Sequence, residues 1–212
     1  MQYRDDVSLR QQLAVKRAID VVGAGVGLAL GWPVMLGAAV AIRLSMGKPV
    51  FFRQRRPGLD EKPFELIKFR TMRDATDASG KPLPDEHRLS RLGNWLRATS
   101  IDELPQLWNV LRGEMSLIGP RPLLMQYLER YNDRQRHRHD MRPGMTGLAQ
   151  VRGRNALSWE EKFELDVEYV ERWSLGMDLT IFAETVAAVV GRRGISQRGH
   201  ATMPEFMGTR AS

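Results

Sequence analysis

The sequence contains no cysteine among its 212 residues, although it has four histidines. Disulfide bonds and thiolate metal sites are therefore excluded, and the composition fits a reducing compartment without requiring one. No histidine–cysteine set with zinc-ligand spacing is present. Internal repeats and low-complexity linkers are also lacking. What remains is a chain of a length that suits one domain with an apolar core, plus a membrane element.

Acidic residues are fewer than basic ones. The chain has 25 acidic residues and 32 lysines and arginines, which gives a formal net charge of +7. A basic chain favours anionic partners, and these include nucleic acid, phospholipid headgroups and phosphorylated substrates. Charge alone does not choose among the three.

The segment from Val21 to Ile42 carries no charged side chain and is long enough to cross a bilayer as a helix. Pro33 near its middle removes a backbone hydrogen bond and clashes with the preceding turn, so we expect a bend. Basic residues flank both ends, which lets both ends stay on the cytoplasmic face. We therefore expect a re-entrant helix-break-helix, and a straight uncleaved signal anchor remains the alternative. The flanking residues are Lys16, Arg17, Arg43 and Lys48, and Gly23, Gly27 and Gly31 form a small-xxx-small row that permits close packing.

Two short stretches after this segment predict a β-hairpin. Pro49 to Gln54 and Pro63 to Phe69 are rich in aromatic and branched residues, and Gly58 to Asp60 lies between them as a turn. Lys68 and Arg70 occupy alternate positions of the second strand, so they point to the same side. A solvated strand face is the simpler explanation of that pair.

The remaining patterns predict helices. Ser158 and Glu161 form a capping box for a helix through Glu171. The basic run from Arg134 to His139 predicts a solvated face, because its two histidines point to different sides of a helix and do not make a metal site. Two apolar stripes favour either the headgroup layer of a membrane or core packing. They are Leu89, Leu92, Trp95 and Leu96, and then Leu179, Phe182, Val186 and Val189.

Two adjacent carboxylates, Asp102 and Glu103, come where a further helix is predicted to begin. Ser100 and Asp102 are good N-cap residues, and Pro105 is tolerated only within a first turn. Unpaired backbone N–H groups at a helix start would keep Asp102 ionised and could receive a phosphate. A nucleophile and its anionic electrophile could then meet at one place. An ordinary acidic N-cap is the alternative without a function.

Several motifs follow one another in a fixed order. They are Lys68-Phe-Arg-Thr-Met72, Asp102-Glu-Leu-Pro-Gln-Leu-Trp-Asn109, Ser116-Leu-Ile-Gly-Pro-Arg-Pro122 and Arg142-Pro-Gly-Met-Thr-Gly-Leu-Ala-Gln150. In this order they closely resemble the bacterial monotopic phosphoglycosyl transferases. The resemblance covers almost the whole chain, from Lys16 to Phe206. One departure is Trp32-Pro33, where members commonly have Ser-Pro at the membrane bend; it removes a hydroxyl but leaves the argument from proline intact.

The resemblance implies an enzyme that moves a sugar-1-phosphate from a UDP-sugar to polyprenyl (undecaprenyl) phosphate, at the cytoplasmic face of the bacterial inner membrane. By this resemblance Asp102 attacks the sugar-linked phosphate, expels UMP and carries the phosphosugar as a covalent intermediate. Glu103 would bind Mg2+ together with Asp102 and Asp166, since a hard cation shared with substrate phosphates needs few protein ligands.

The matching basic positions are Lys68, Arg97 and Arg121. An anionic nucleophile must approach a charged diphosphate, so cations are needed to offset the repulsion. The resemblance therefore implies that these three side chains bind the substrate phosphates. Anionic membrane lipids are expected as further partners, and nucleic acid is not.

The sugar is assigned by resemblance alone. The short length, Gly153-Arg154-Asn155 and the tail from His200 to Phe206 are similar to the smallest members. This favours an N-acetylated amino sugar, as in the diacetylbacillosamine-1-phosphate transferases. The alternative is a UDP-hexose (galactose or glucose) phosphate transferase of exopolysaccharide synthesis.

Two other classes compete with this interpretation. A membrane-tethered nucleic-acid-binding or adaptor protein explains the anchor and the basic charge, but it leaves the carboxylate pair without a purpose, and no nucleic-acid-binding signature is present. A polyprenyl-lipid phosphatase would release the phosphosugar into water instead of onto lipid.

The predicted fold is α+β and mostly helical. Residues 1–46 are the lead-in and the re-entrant membrane helix, and residues 47–212 form a catalytic domain at the cytoplasmic face. A small β-hairpin and interfacial amphipathic helices are expected to surround the active site.

Overall fold

The computed structural model describes residues 7–77, 79–81, 83–153, 157–190 and 205–208. Arg154, Asn155 and residues 200–204, which entered the prediction of the sugar, lie outside these ranges. Within them the fold is α+β and mostly helical, as predicted. The helices are α1 (Val7–Met46), α2 (Asp85–Arg88), α3 (Arg91–Ala98), α4 (Gln106–Arg112), α5 (Asp133–Arg136), α6 (Leu148–Arg152), α7 (Trp159–Arg172) and α8 (Leu175–Val190). Short 3-10 turns occupy Leu59–Glu61, Ile101–Glu103, Met125–Arg130 and His137–His139.

Helix α1 is a single 40-residue helix, long and apolar enough to cross a membrane by length and composition. Pro33 lies inside it and does not end it. The predicted break into two helices is therefore not present as an interruption. The physical reason is that one proline removes one backbone hydrogen bond, and a long helix packed on both sides of that position can continue past it.

One stripe of α1 packs against the rest of the protein along most of its length. Its buried residues are Lys16, Asp20, Ala24, Ala38 and Ile42. Ala24 belongs to a core cluster that also contains residues of strand β2 (Pro63–Phe69) and of α4. Ala38 and Ile42 belong to a second cluster formed with β2 and α3. The first and last parts of the helix therefore contact the same body of the protein.

The glycine row of α1 has a structural role in this packing. A Cβ placed on Gly23 would lie 2.7 Å from Leu117 Cδ1, and one on Gly27 would lie 3.0 Å from Leu107 Cδ1. The row permits close approach, as predicted; Leu107 belongs to α4, and Leu117 lies in the strand Ser116–Ile118.

The predicted hairpin is confirmed. Strands β1 (Phe51–Pro57) and β2 (Pro63–Phe69) pair antiparallel, with Phe51 opposite Phe69 and Pro57 opposite Pro63. A second, parallel pair joins β3 (Ser116–Ile118) to β4 (Gly144–Thr146). This pair brings the Ser116 and Arg142 motifs side by side, and β3 leads directly into the segment that carries Arg121.

The two apolar stripes differ in how they are used. Leu96 of α3 is fully buried, but Trp95 beside it is exposed. On α8 the stripe does not form the core of this chain, because its residues are exposed while Ile181 is buried on the other side. The exposed residues are Leu179, Phe182, Val186 and Val189.

The basic run from Arg134 to His139 is only partly solvated, so the prediction for it was wrong in part. Arg134 and His137 are exposed, and His137 pairs with Asp140. Arg138 and His139 are buried, because the chain turns inward in the 3-10 segment and Arg138 pairs with an acidic residue of α7. Burial lowers the pKa of His139 to about 3, so this histidine stays neutral.

Candidate active site

The carboxylate pair lies on a tight turn between α3 and α4. Ser100 has a left-handed backbone (φ 57°) and makes no side-chain cap bond; Asp102 and Glu103 follow in the 3-10 turn. Helix α4 begins only at Gln106, preceded by Pro105. The helix start predicted at Asp102 is thus displaced by one turn, because the left-handed serine starts a separate turn first. Left-handed backbone is unusual for a residue other than glycine and often occurs at functional sites.

Asp102 is buried, with 5% of its surface exposed. Burial, together with the neighbouring charge of Glu103, raises the pKa of Asp102 to about 6, although nearby cations oppose the shift. The predicted ionising effect of a helix end does not dominate. Burial therefore makes ionisation of Asp102 unfavourable. Once ionised, a poorly solvated carboxylate is a stronger nucleophile than a solvated one.

Glu103 behaves in the opposite way. Burial opposes its ionisation, but the guanidinium of Arg121, with Lys68 and Arg97, lowers the pKa of Glu103 below its usual value. Arg121 Nη2 donates to Glu103 Oε1 at 2.5 Å. Two adjacent carboxylates with pKa values shifted in opposite directions are suited to different tasks.

The structure places the three basic side chains, Lys68, Arg97 and Arg121, near this carboxylate pair. Each of the three acts electrostatically on both Asp102 and Glu103. Lys68 reaches the site from β2, and burial lowers its pKa while the two carboxylates oppose the shift. Arg97 comes from the last turn of α3, where its Nε donates to Thr71 Oγ1 at 3.0 Å. Elements far apart in the chain therefore surround one carboxylate pair with three cations.

Asp166 is not part of this cluster. Its carboxylate on α7 accepts hydrogen bonds from Arg138, and within the described ranges no three acidic or histidine side chains come together to hold one metal ion. The expected set of Asp102, Glu103 and Asp166 is thus not assembled. Asp102 and Glu103 are still suitable donors for a hard cation, since two carboxylates with substrate phosphates form the usual Mg2+ environment.

Two further arginines at the site were not predicted. Arg56 on β1 donates to Pro122 O. Burial lowers the pKa of Arg56 to about 10, and the nearby charge of Arg121 adds to this shift. Arg138 donates to the carbonyl oxygen of Arg121 at 2.7 Å. The only sequence signal for Arg56 was the concentration of arginines in the first strand; Arg138 was assigned to the solvated basic run.

A buried carboxylate with several cations nearby is chemically suited to bind and attack a phosphate ester. The chain matches the family model described as bacterial sugar transferase over residues 11–192. It belongs to that family.

Named relatives are similar over most of the chain. An uncharacterized sugar transferase, EpsL, of Bacillus subtilis is 51% identical over 93% of this chain and 98% of its own length. The UDP-glucose:undecaprenyl-phosphate glucose-1-phosphate transferase of Caulobacter vibrioides is 44% identical over 82% of this chain and 69% of its own length. The exopolysaccharide production protein ExoY of Rhizobium meliloti is 38% identical over 84% and 87%, respectively.

Proposed function

We propose that this protein is a phosphoglycosyl transferase that moves a hexose-1-phosphate from a UDP-hexose to undecaprenyl phosphate. The observation that carries the proposal is the buried Asp102, with its pKa raised to about 6, among Lys68, Arg97 and Arg121. Such a carboxylate is positioned for attack on a phosphate whose charge the cations offset.

In the proposed first step an Asp102 oxygen attacks the phosphorus that bears the sugar. A bond from the carboxylate oxygen to phosphorus forms, the bond from phosphorus to the bridging oxygen breaks, and UMP leaves with that oxygen. In the second step an oxygen of the lipid phosphate attacks the same phosphorus. The carboxylate of Asp102 is released, and the phosphosugar remains on the lipid as a diphosphate.

Arg121 and Lys68 offset the charge that develops on the departing phosphate. Arg121 also holds Glu103 through the 2.5 Å contact, which keeps this second carboxylate ionised next to the nucleophile. Asp102 and Glu103 would hold Mg2+ together with the substrate phosphates, and the ion would supply further charge neutralisation.

We propose membrane attachment without a crossing. The two ends of the apolar segment are both bonded to the catalytic body: Lys16 Nζ lies 2.7 Å from Asp178 Oδ2, and Arg70 Nη1 donates to Lys48 O at 3.1 Å. If α1 crossed the membrane, part of the domain that is bonded to both of its ends would have to lie in the bilayer. The outer face of α1 and the exposed stripe of α8 would contact lipid at the cytoplasmic face of the inner membrane, where the re-entrant arrangement is expected to lie.

The sugar is best assigned as a hexose, and the expectation of an N-acetylated amino sugar is not supported. The Caulobacter relative is named for glucose-1-phosphate transfer and the Rhizobium relative for exopolysaccharide production. The short chain length that favoured the amino sugar does not distinguish the two, because ExoY is nearly fully covered by this chain as well. We therefore infer that this protein catalyses the first membrane step of polysaccharide assembly. Glucose is the favoured sugar, and galactose is the second candidate.

The test is UMP release by purified protein in detergent or nanodiscs with Mg2+ and undecaprenyl phosphate. UDP-glucose, UDP-galactose, UDP-N-acetylglucosamine and UDP-diacetylbacillosamine are compared, with extraction of the lipid product. We expect release with a UDP-hexose and the phosphosugar in the lipid fraction. Phosphosugar in water would indicate a phosphatase. No release with any donor, with salt-dependent duplex DNA binding, would favour the nucleic-acid-binding alternative.

Metal dependence is tested in the same assay. Excess EDTA should abolish UMP release and added Mg2+ should restore it. Full activity in EDTA would remove the metal from the proposal.

A further inference from the structure

We infer that Asp166 is a positioning residue, which acts through Arg138 on the backbone of Arg121. This inference rests on the proposed function, because it assigns Asp166 a part in the same site. It replaces the metal-ligand role that the resemblance implied for Asp166.

The contacts form one chain from α7 to the active site. Arg138 Nη2 donates to Asp166 Oδ2 at 2.6 Å, and Arg138 Nε donates to the same oxygen at 3.1 Å. Arg138 Nη2 also donates to Arg121 O at 2.7 Å. Arg121 in turn holds Glu103 through its guanidinium. Asp166 is therefore separated from the catalytic pair by two arginines.

Both members of the pair are almost completely buried, Arg138 with 2% and Asp166 with 3% of its surface exposed. A buried ion pair is weak evidence for stabilisation, because desolvation of two charges cancels much of their attraction. Stability alone therefore does not explain why a guanidinium is buried at this position. Its planar fork reaches a carboxylate and a backbone carbonyl together, which a hydrophobic pair could not do.

The segment that carries Arg121 is already stiff on one side. Gly119 N donates to Thr146 O at 2.8 Å, and Gly144 N donates to Pro120 O at 2.9 Å, so β4 fixes the chain just before Arg121. Pro122 then restricts the backbone of Arg121 to extended conformations. The bond from Arg138 fixes the carbonyl of Arg121 itself. This bond anchors the residue whose half-exposed side chain is proposed to meet the substrate, and a longer contact from Arg56 to Pro122 O follows it.

A displaced cation loses much of its effect, since a shift of about 1 Å can cost on the order of a hundredfold in rate. If Asp166 acts only through Arg121, removing the carboxylate of Asp166 should not lower kcat further in a protein that already lacks the Arg121 guanidinium. A double-mutant cycle measures this directly.

The experiment combines Asp166→Asn with Arg121→Gln and measures kcat and KM for UMP release with UDP-glucose and undecaprenyl phosphate. We expect Asp166→Asn alone to lower kcat by about tenfold or more, and by less than about twofold in the Arg121→Gln background. The KM for Mg2+ should not change. Arg138→Lys keeps the buried charge but not the fork, so it should show the same pattern if Asp166→Asn does not fold.

Arg134→Gln is the matched control. Arg134 pairs with Glu164 and Glu171 of the same helix α7 but makes no contact with Arg121. It should leave kcat unchanged in both backgrounds.

Equal losses in the two backgrounds, with a lowered unfolding temperature, would mean a structural role only and would overturn the inference. If high Mg2+ restores the kcat of Asp166→Asn, Asp166 is a metal ligand, and the inference is overturned. No UMP release by the wild-type protein would instead overturn the proposed function, and with it this inference.

Discussion

Glu103 and Arg121 are joined by a 2.5 Å contact between Oε1 and Nη2, whereas Asp102 forms no ion pair with any residue in the described part of the chain. Arg121 keeps Glu103 ionised, whereas burial raises the pKa of Asp102 to about 6. The two carboxylates are neighbours in sequence but differ in the work that each can do. This difference fits the proposed role of Asp102 as the nucleophile, because Arg121 engages Glu103 and leaves the carboxylate of Asp102 for the attack.

The first prediction concerns pH. Asp102 must be ionised to attack, so kcat/KM should fall on the acid side with an apparent pKa of about 6, as expected for the free enzyme. Glu103→Gln removes a charge that raises the pKa of Asp102, so its acid limb should lie at lower pH. Rate profiles between pH 5 and 8 measure both. Both profiles are taken at subsaturating Mg2+, because a bound cation lowers the pKa of a carboxylate, and a wild-type limb near pH 4 under that condition would contradict the raised pKa of Asp102.

The second prediction concerns stability. A carboxyl whose folded-state pKa is raised favours folding when protonated, and that contribution is present below its unfolded value of 3.8 and lost as pH rises through about 6. Asp102→Asn never ionises, so it should be more stable than the wild-type protein at pH 7, by at most about 3 kcal/mol. The gain should vanish below about pH 4. Thermal unfolding in detergent at pH 4 and pH 7 measures the difference. A variant that is less stable at pH 7 would contradict the raised pKa.

The hairpin and the capping box of α7 followed from sequence, because each depends on local residue types. The cations near Asp102 were named from the resemblance alone, since residues so far apart in sequence show no local pattern that groups them. Burial of Arg138 did not, since its partner Asp166 lies 28 residues away and nothing in a basic run indicates it. The left-handed Ser100 was missed for a different reason. Serine is a common N-cap residue, so the sequence favoured an N-cap at Ser100 and gave no signal for a left-handed backbone there. The raised pKa of Asp102 depends on burial, which a sequence pattern does not fix.

The third prediction concerns topology and uses the absence of native cysteine. Single cysteines at Gln11 and Lys48, both exposed, should react with a membrane-impermeant thiol reagent only from the cytoplasmic side. Trp32→Cys is the control, because it is exposed in the structure but is expected to lie in lipid, so it should react only after detergent is added. Labelling of positions 11 and 48 from opposite sides would show that α1 crosses the membrane.

The fourth prediction concerns Lys68. Lys68→Met keeps the length of the side chain but removes a cation that acts on Asp102 and Glu103, so turnover should fall about a hundredfold. The acid limb of kcat/KM should also move to higher pH, since Lys68 lowers the pKa of Asp102. Lys62→Met is the control: Lys62 is on the same hairpin, with 81% of its side chain exposed. Equal effects of the two variants would exclude a direct role for Lys68.

The last prediction separates covalent catalysis from direct attack by the lipid phosphate. With UDP-glucose alone, the wild-type protein should release at most about one equivalent of UMP and gain the mass of one phosphosugar. Undecaprenyl phosphate should then discharge the adduct. Asp102→Asn keeps the shape of the side chain but lacks the attacking charge, so the adduct and turnover should both disappear while the protein remains folded. Glu103→Gln should slow the reaction without moving the attachment site, because Glu103 is already occupied by Arg121. Intact-mass spectrometry with peptide mapping reads both outcomes. An adduct that persists in Asp102→Asn, or normal turnover by a wild-type protein that never forms one, would mean that the lipid phosphate attacks the UDP-sugar directly and that Asp102 serves another purpose.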